Sequence, residues 1–217
     1  QLNLATSENR NVPQIFLEEL PYDLGTIDDI EERKSLFFRT LLPHILKLNK
    51  SILEKRSKIL RLKYRLETGG ELNLENEIWL KGVFKAYETE EGNFKALLKK
   101  VDLIPPSLVL AQAAEESGWG TSRFVREGNA LFGQWTFDPD DHGIIPKGRD
   151  EGKSHRIKAF RSIKDSLNDY YLNLNTHPAY KEMREVRANL RESKKHVRGK
   201  ELAQTLNDYS ERGAEYV

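Results

Sequence analysis

PPSLVLAQAAEESGWG, residues 105–120, is the stretch that decides the fold class of this chain. The two prolines suit the first turn of a helix, and Gly118 and Gly120 suit its end. Between them the residues are apolar on almost every side of the helix, which predicts a buried element. This helix ends on two neighbouring carboxylates, Glu115 and Glu116. Two charges at the end of a buried helix indicate that one of them is used.

The position of these carboxylates favours a proton donor. The C-terminal end of a helix carries partial negative charge, which disfavours a further anion there. Burial and a neighbouring like charge also disfavour the ionised form. All three effects raise the pKa of a carboxyl group toward the range in which it can protonate a leaving group near neutral pH. The residues alone leave open which of the two is the acid, or whether both point into water at a fraying helix end.

Composition bounds the possible functions. A length of 217 residues fits one or two domains and is ample for a core. The 35 basic and 34 acidic residues leave a formal net charge of +1, which gives no overall attraction to nucleic acid or acidic membranes. The absence of cysteine excludes disulfides, thiolate nucleophiles and thiolate metal sites. Because residue 1 is Gln, we expect a processed or trimmed chain whose export signal cannot be sought in this sequence.

Residues 1–100 are predicted to form an N-terminal arm and a helical scaffold. An extended arm covers about residues 1–27, and a first helix about 28–42. Pro43 is predicted to open a longer helix, along which Ile45, Ile52, Ile59 and Leu66 repeat every seven residues. A third helix is expected over about 74–88. No reactive constellation occurs in this region, so we interpret it as support for the rest of the chain.

Residues 101–217 are predicted to form the domain that carries the chemistry. A loop rich in turn formers covers 138–152, and the partial alternation over 154–160 predicts a strand, the second arm of an irregular hairpin. Ser162 begins a helix, Pro178 another, and a short helix is expected over about 200–207. The predicted fold class is therefore mainly α (α+β), with a small β insertion.

The motifs in this region resemble those of the glycoside hydrolase family 73 glucosaminidases. The resemblance rests on residues 111–120, 129–133, 160–161, 166–170 and 209–211, in that order. Together with the N-terminal helices it extends to the Bax-like branch of bacterial glucosaminidases. It implies a lysozyme-like fold, in which a groove separates a helical body from a small β lobe. It also implies cleavage of the β-1,4 bond between N-acetylglucosamine and N-acetylmuramic acid in peptidoglycan, and hence a periplasmic or extracellular location at the cell envelope.

The resemblance assigns catalytic roles residue by residue. The general acid of the family precedes Ser/Thr-Gly-Trp-Gly, which is Glu116 here, although Glu115 stands where the family commonly has an apolar residue. Glu151, 35 positions further on, corresponds to an acidic residue that activates water or stabilises charge. Its rivals are Asp150, Asp138, Asp140 and Asp141, and assistance by the substrate's own acetamido group is a third route. Tyr209 matches a family tyrosine close to the reacting sugar.

Substrate contacts are expected from residues around these motifs. Sugar rings stack on aromatic faces, and Trp135 and Tyr170 are the candidates for the wall of the groove. Phe132 and Asn129 are further substrate-binding candidates, with core packing as the alternative for Phe132 and for Trp119. We expect no metal and no other cofactor, a monomer, and peptidoglycan strands as the partner. The alternatives are a muramidase or lytic transglycosylase acting on the same polymer, or a non-catalytic peptidoglycan-binding or scaffold protein.

Overall fold

Helices form most of this protein, and one small sheet accompanies them. A computed structural model describes residues 12–147, 152 and 154–206. In that part of the chain the α-helices are α1 Ile30–Glu67, α2 Leu74–Ala86, α3 Phe94–Lys100, α4 Pro106–Ser117, α5 Arg123–Gly128, α6 Ile163–Thr176, α7 Lys181–Glu192 and α8 Gly199–Ala203. Two short 3-10 helices cover Leu24–Thr26 and Pro178–Tyr180. The predicted fold class, mainly α with a small β lobe, is confirmed.

The β lobe has three short antiparallel strands, β1 Trp135–Thr136, β2 Gly143–Ile144 and β3 Arg156–Lys158. Their order in the sheet is β1-β3-β2. The predicted strand over 154–160 is therefore present but shorter, and it is the central strand. The segment predicted as a loop supplies β2, because its chain folds back along the free side of β3 and satisfies the backbone groups there.

The expectation that Pro43 opens a separate helix is wrong, because α1 runs without a break from Ile30 to Glu67 and contains Pro43. A proline inside a helix costs about 3 kcal/mol. The apolar stripe that crosses the proline is fully buried at Leu41 and Ile45. Burial of one such side chain stabilises by about 1.5 to 3 kcal/mol. The free energy gained by burying the side chains of this stripe therefore exceeds the cost of the proline.

The chain divides into two compact units that are discontinuous in sequence. Among the described residues, the first contains those up to Leu46 and those within Ala113–Ser166, and the second contains Lys47–Gln112 and those from Leu167 to Leu206. Helices α1, α4 and α6 each contribute residues to both units. Long helices make contacts along their whole length, so spatial neighbours need not be neighbours along the chain.

Helix α4 is buried, as its sequence predicts. Leu108, Val109 and Leu110 are at most 6% exposed, and Ala113 and Ala114 at most 4%. Helix α3, by contrast, was not predicted. The side chain of Asn93 accepts a hydrogen bond from the N–H of Ala96 and so caps its first turn.

The polar core of the second unit is built around a buried arginine. Arg187 of α7 is 0% exposed, and its guanidinium donates to the carbonyl oxygens of Lys99, Asp102 and Leu103 and to the side-chain oxygen of Asn175. Burial lowers the pKa of Arg187 to about 10. The arginine thus ties α7 to the backbone between α3 and α4.

Candidate active site

The two carboxylates at the end of α4 differ in exposure. Glu115 is exposed, whereas Glu116 is half-buried and is followed by Ser117, the fully buried last residue of the helix. A half-buried carboxyl group can still reach a substrate. The structure therefore distinguishes two residues that the helix pattern left equivalent.

A tight turn fixes the end of α4 directly after Glu116. Gly118, Trp119 and Gly120 have φ values of +56°, +57° and +79°, three successive residues in the left-handed region. Ser117 Oγ donates to the carbonyl of Ala113 at 2.5 Å and accepts from the N–H of Gly120 at 2.8 Å. This hydrogen bonding closes the turn and holds the backbone that carries Glu116.

The ring of Trp119 anchors this turn in the first unit. It packs edge-on to Phe37 and Phe38 of α1, with ring centroids 5.9 and 5.3 Å away. The ammonium of Lys34 lies 5.2 Å from the centre of the indole, within the range of a cation–π contact. A left-handed conformation costs a residue with a side chain about 1 to 2 kcal/mol, so this packing has to offset that cost at Trp119.

Gly133, just before β1, lies close to the carboxylate of Glu116. A Cβ atom built on Gly133 would lie 3.8 Å from Glu116 Oε2. The φ of Gly133 is +61°, which favours glycine. The backbone that enters β1 thus runs alongside the carboxylate without a side chain between them.

Asn129 and Phe132 are both buried in the first unit. Asn129 caps the end of α5 with a φ of +51°, and its side-chain amide donates to the carbonyl of Phe160 at 3.3 Å. The carbonyl of Gly128 also accepts from the N–H of Phe160 at 2.8 Å. Phe132 is only 4% exposed. These contacts join α5 to the chain that leaves β3, and so place the β lobe beside the end of α4.

The β lobe presents a cluster of three aromatic rings. Trp135 and Phe137 are 56% and 67% exposed. The ring of His155 stacks on Trp135 with centroids 4.4 Å apart and an angle of 19° between the planes. Phe137 lies edge-on to Trp135 at 6.4 Å. An exposed aromatic platform of this kind suits the apolar face of a sugar ring.

His155 is a member of this cluster that the sequence reasoning missed. Trp135 pairs with Ile157 in the sheet. Since side chains alternate between the two faces of a strand, residue 155 lies on the same face as Trp135. The alternation of β3 places His155 on one face of the sheet, but only the register of the strands shows that Trp135 lies on the same face.

Comparison with known proteins gives the family. The profile of a family described as "Glucosaminidase: Mannosyl-glycoprotein endo-beta-N-acetylglucosaminidase" matches residues 91–214, more than half of the chain. The chain belongs to the glucosaminidase family. This family contains glycoside hydrolases, and the matched range includes Glu116, Gly133 and Trp135.

A curated relative supports the same assignment. The chain is 35% identical over 193 residues to the Escherichia coli (strain K12) protein named "Protein bax". The aligned part covers 85% of this chain and 66% of that protein, so the chain spans slightly less than two thirds of the length of its relative. No solved structure matches.

Within this glucosaminidase domain the second catalytic group stays a prediction. Glu151, its rival Asp150, and Tyr209 lie outside the described residues. The other rivals stabilise the loop between β1 and β2. Asp138 Oδ1 accepts from the N–H of Asp140 at 3.0 Å. Asp141 Oδ2 accepts from the Thr136 hydroxyl at 2.7 Å and lies 3.8 Å from the Lys158 ammonium. These contacts favour structural roles for the carboxylates of Asp138 and Asp141.

Tyr170 occupies a different environment from the one expected of a substrate-binding residue. It belongs to the second unit, is 0% exposed, and packs edge-on to Tyr171. Its hydroxyl donates to the side-chain oxygen of Gln112, which is itself 2% exposed. A ring buried to this degree has no face for a sugar in this structure. Tyr170 instead holds Gln112 of α4 in place.

The described residues contain neither a membrane-spanning helix nor a cluster of metal ligands. None of their helices is both long enough and apolar enough to cross a membrane. Nor do the His, Asp and Glu residues in this part of the chain form a group of three that could hold a metal ion.

Proposed function

We propose that this protein is a peptidoglycan hydrolase that cleaves the β-1,4 bond between N-acetylglucosamine and N-acetylmuramic acid, with Glu116 as the general acid. The observation that carries the proposal is the half-buried Glu116 at the end of α4, next to the Gly118–Gly120 turn and inside the range that matches the glucosaminidase family. Since peptidoglycan lies in the cell envelope, the proposed location is periplasmic or extracellular.

In the proposed reaction Glu116 transfers its proton to the glycosidic oxygen as the bond to the anomeric carbon breaks. The missing side chain of Gly133 leaves room for the sugar beside the carboxyl group. Trp135, stacked on His155, offers an exposed face against which a sugar ring can lie. In this proposal these groups bind the substrate and protonate the leaving group. Hydrolysis also requires a second set of groups.

Hydrolysis also requires stabilisation of the positive charge that develops on the sugar, and delivery of a water molecule. A second carboxylate can do this either as a base for water or as a nucleophile. Glu151 is the proposed residue, Tyr209 is proposed to orient groups near the reacting sugar, and the acetamido group of the substrate is the alternative to the carboxylate. A large loss of rate in Glu151→Gln would support the carboxylate route. Unchanged rates in both Glu151→Gln and Asp150→Asn would favour assistance by the substrate.

The general acid is tested with purified sacculi. Glu116→Gln removes the transferable proton and keeps the size of the side chain. The release of soluble muropeptides should fall by about 10² to 10⁴-fold, while binding to sacculi is retained. Glu115→Gln is the matched control, since it changes the neighbouring exposed residue in the same way and should keep most of the activity. Digestion at the parent rate by the Glu116 variant would contradict the assignment.

The bond is tested by mass spectrometry of the new chain ends. Reducing N-acetylglucosamine supports the proposed specificity. Reducing N-acetylmuramic acid would instead identify a muramidase, and an anhydro sugar would identify a lytic transglycosylase. If the parent protein binds sacculi but releases no fragment, it is a binding protein and the proposal fails.

A further inference from the structure

A strongly basic pocket lies within the second unit, where α3 packs against α7. Its volume is about 390 Å³. Five cationic side chains and one carboxylate line it, so four positive charges are in excess: Lys95, Lys99, Lys100, Lys181, Arg184 and Glu185. This concentration of charge contrasts with the near-neutral balance of the whole chain. The pocket plays no part in the proposed hydrolysis, and no comparison assigns it a role.

Two of the cations are held in place by backbone carbonyl groups. The Lys100 ammonium donates to the carbonyls of Tyr87 and Glu88 at 2.9 and 3.1 Å. One terminal nitrogen of Arg184 donates to the carbonyls of Leu174 and His177 at 2.9 and 2.8 Å, and the residue is only 5% exposed. These contacts fix the two positive charges at the pocket wall without neutralising them.

Little negative charge lies close to the other three cations of the pocket. Lys95 and Lys181 are exposed at the rim. Lys99 lies 3.8 Å from the carboxylate of Glu185, and both of these side chains are more than a third exposed. An ion pair at that exposure contributes about 0 to 1 kcal/mol. One weak pair therefore leaves most of the positive charge of the pocket available to a ligand.

The protonated forms of Lys100 and Arg184 are destabilised by burial, and that of Lys100 also by a neighbouring positive charge. Burial lowers the pKa of Lys100 and the charge of Arg184 lowers it further, against a smaller effect of Glu88 in the opposite direction. Burial likewise lowers the pKa of Arg184, against a smaller effect of Glu185 in the opposite direction. A bound anion would relieve both penalties, since it would replace lost hydration and attract all the cations at once.

We infer that the pocket binds a phosphate group carried by a small organic molecule or a lipid. A phosphate monoester carries about −1.5 to −2 charges and three acceptor oxygens, so it can engage several lysines that a single carboxylate cannot. A volume of about 390 Å³ exceeds the needs of phosphate alone and lies in the range of small-ligand sites. Ala96 and the aliphatic stems of the lysines supply apolar surface for the rest of the ligand.

The test measures the affinity for pyrophosphate by isothermal titration calorimetry at low salt. The variant Lys95→Gln, Lys99→Gln, Lys181→Gln removes three charges from the pocket and leaves the buried contacts of Lys100 and Arg184 intact. It should bind at least about tenfold more weakly, because each removed charge acts on a multiply charged ligand. A control with Gln at Lys50, Lys81 and Lys164, exposed lysines elsewhere, loses the same net charge and should bind like the parent.

A substitution of opposite sign strengthens the test. Glu185→Gln removes the one carboxylate of the pocket and should tighten the binding of pyrophosphate about threefold or more. Equal affinities of the pocket and control variants would overturn the inference, and so would succinate binding as tightly as pyrophosphate. Sacculus digestion by the pocket variant should stay at the parent rate, so failure of the phosphate site is distinguishable from failure of the proposed function.

The source of the phosphate is decided with vesicles. Sedimentation with phosphatidylcholine vesicles that contain phosphatidic acid, and with phosphatidylcholine alone, reports on lipid headgroups. If the parent protein and the control variant sediment with the phosphatidic acid vesicles and the pocket variant does not, the phosphate belongs to a membrane surface. Pocket-dependent binding of pyrophosphate without sedimentation assigns it to a soluble molecule.

Discussion

Substitution of Gly120 by alanine tests the packing that holds the turn after Glu116. The new methyl group would lie 2.6 Å from Leu20, 2.9 Å from Leu24 and 3.1 Å from Phe37. The first two distances are shorter than real Cβ contacts between non-bonded carbon atoms. Leu24 and Phe37 are buried in the interior of the first unit, whereas Leu20 is half-buried. We therefore expect both a backbone cost and a packing cost.

The two costs can be estimated separately. An alanine at a φ of +79° costs about 1 to 2 kcal/mol, because its Cβ meets the backbone. Forcing a methyl group into a filled core costs about 1 to 3 kcal/mol more. The free energy of unfolding should fall by about 2 to 5 kcal/mol. Since the turn carries Glu116, the release of muropeptides should fall as well.

Gly69 supplies a control with the same backbone geometry. Its φ is also +79°, but nothing lies within 4 Å of its Cβ position. Gly69→Ala should therefore show the backbone cost alone, and the difference between the two variants measures the packing term. Urea unfolding followed by circular dichroism gives both values. Equal losses of stability in the two variants would refute the packing argument at Gly120.

Two further predictions concern the second unit. Arg187→Met leaves the carbonyl acceptors of the guanidinium buried and unpaired. It should lower the free energy of unfolding by about 3 kcal/mol, measured in urea titrations. Stability equal to the parent would contradict the role of this network. Burial raises the pKa of the Tyr171 phenol above its ordinary value of 10.0. The stability that this shift contributes is fully present below that value and is lost as the pH rises above it. Between about pH 9 and about pH 11 the unfolding free energy of Tyr171→Phe should therefore fall less steeply than that of the parent, and parallel curves would show that the phenol does not contribute.

The sequence by itself determined the elements whose signals are local. The apolar run over 106–114 predicted a buried α4, and the prolines and glycines around it predicted the bounds of the helix. The alternation over 154–160 predicted the strand that became β3. The helix and the strand could be predicted because their signals depend on residues within one or two turns of each other. The order of the motifs from Ala111 to Glu211 indicated the glucosaminidase family by resemblance.

Other features were decided by contacts between distant segments. Pro43 reads as a helix start, yet buried side chains on both sides of it keep α1 continuous. Tyr170 reads as a sugar-binding aromatic residue, but its ring is enclosed and its hydroxyl bonds to Gln112. Arg187 reads as one of many charges on a polar helix, and it is a fully buried one. In each case the local sequence permits several environments, and the partner that selects one lies far away along the chain.

The candidate site shows the same division. The motif around Glu116 predicted that this residue is the acid. The exposure of Glu115 and the half-burial of Glu116, however, depend on what packs around the end of α4. The closeness of Gly133 to Glu116 depends on contacts between segments that are distant in the chain, and the stacking of His155 on Trp135 depends on the register of the sheet. Sequence thus determined which residue types are present, and the tertiary structure decided which of them meet, because burial and stacking are properties of neighbours in space.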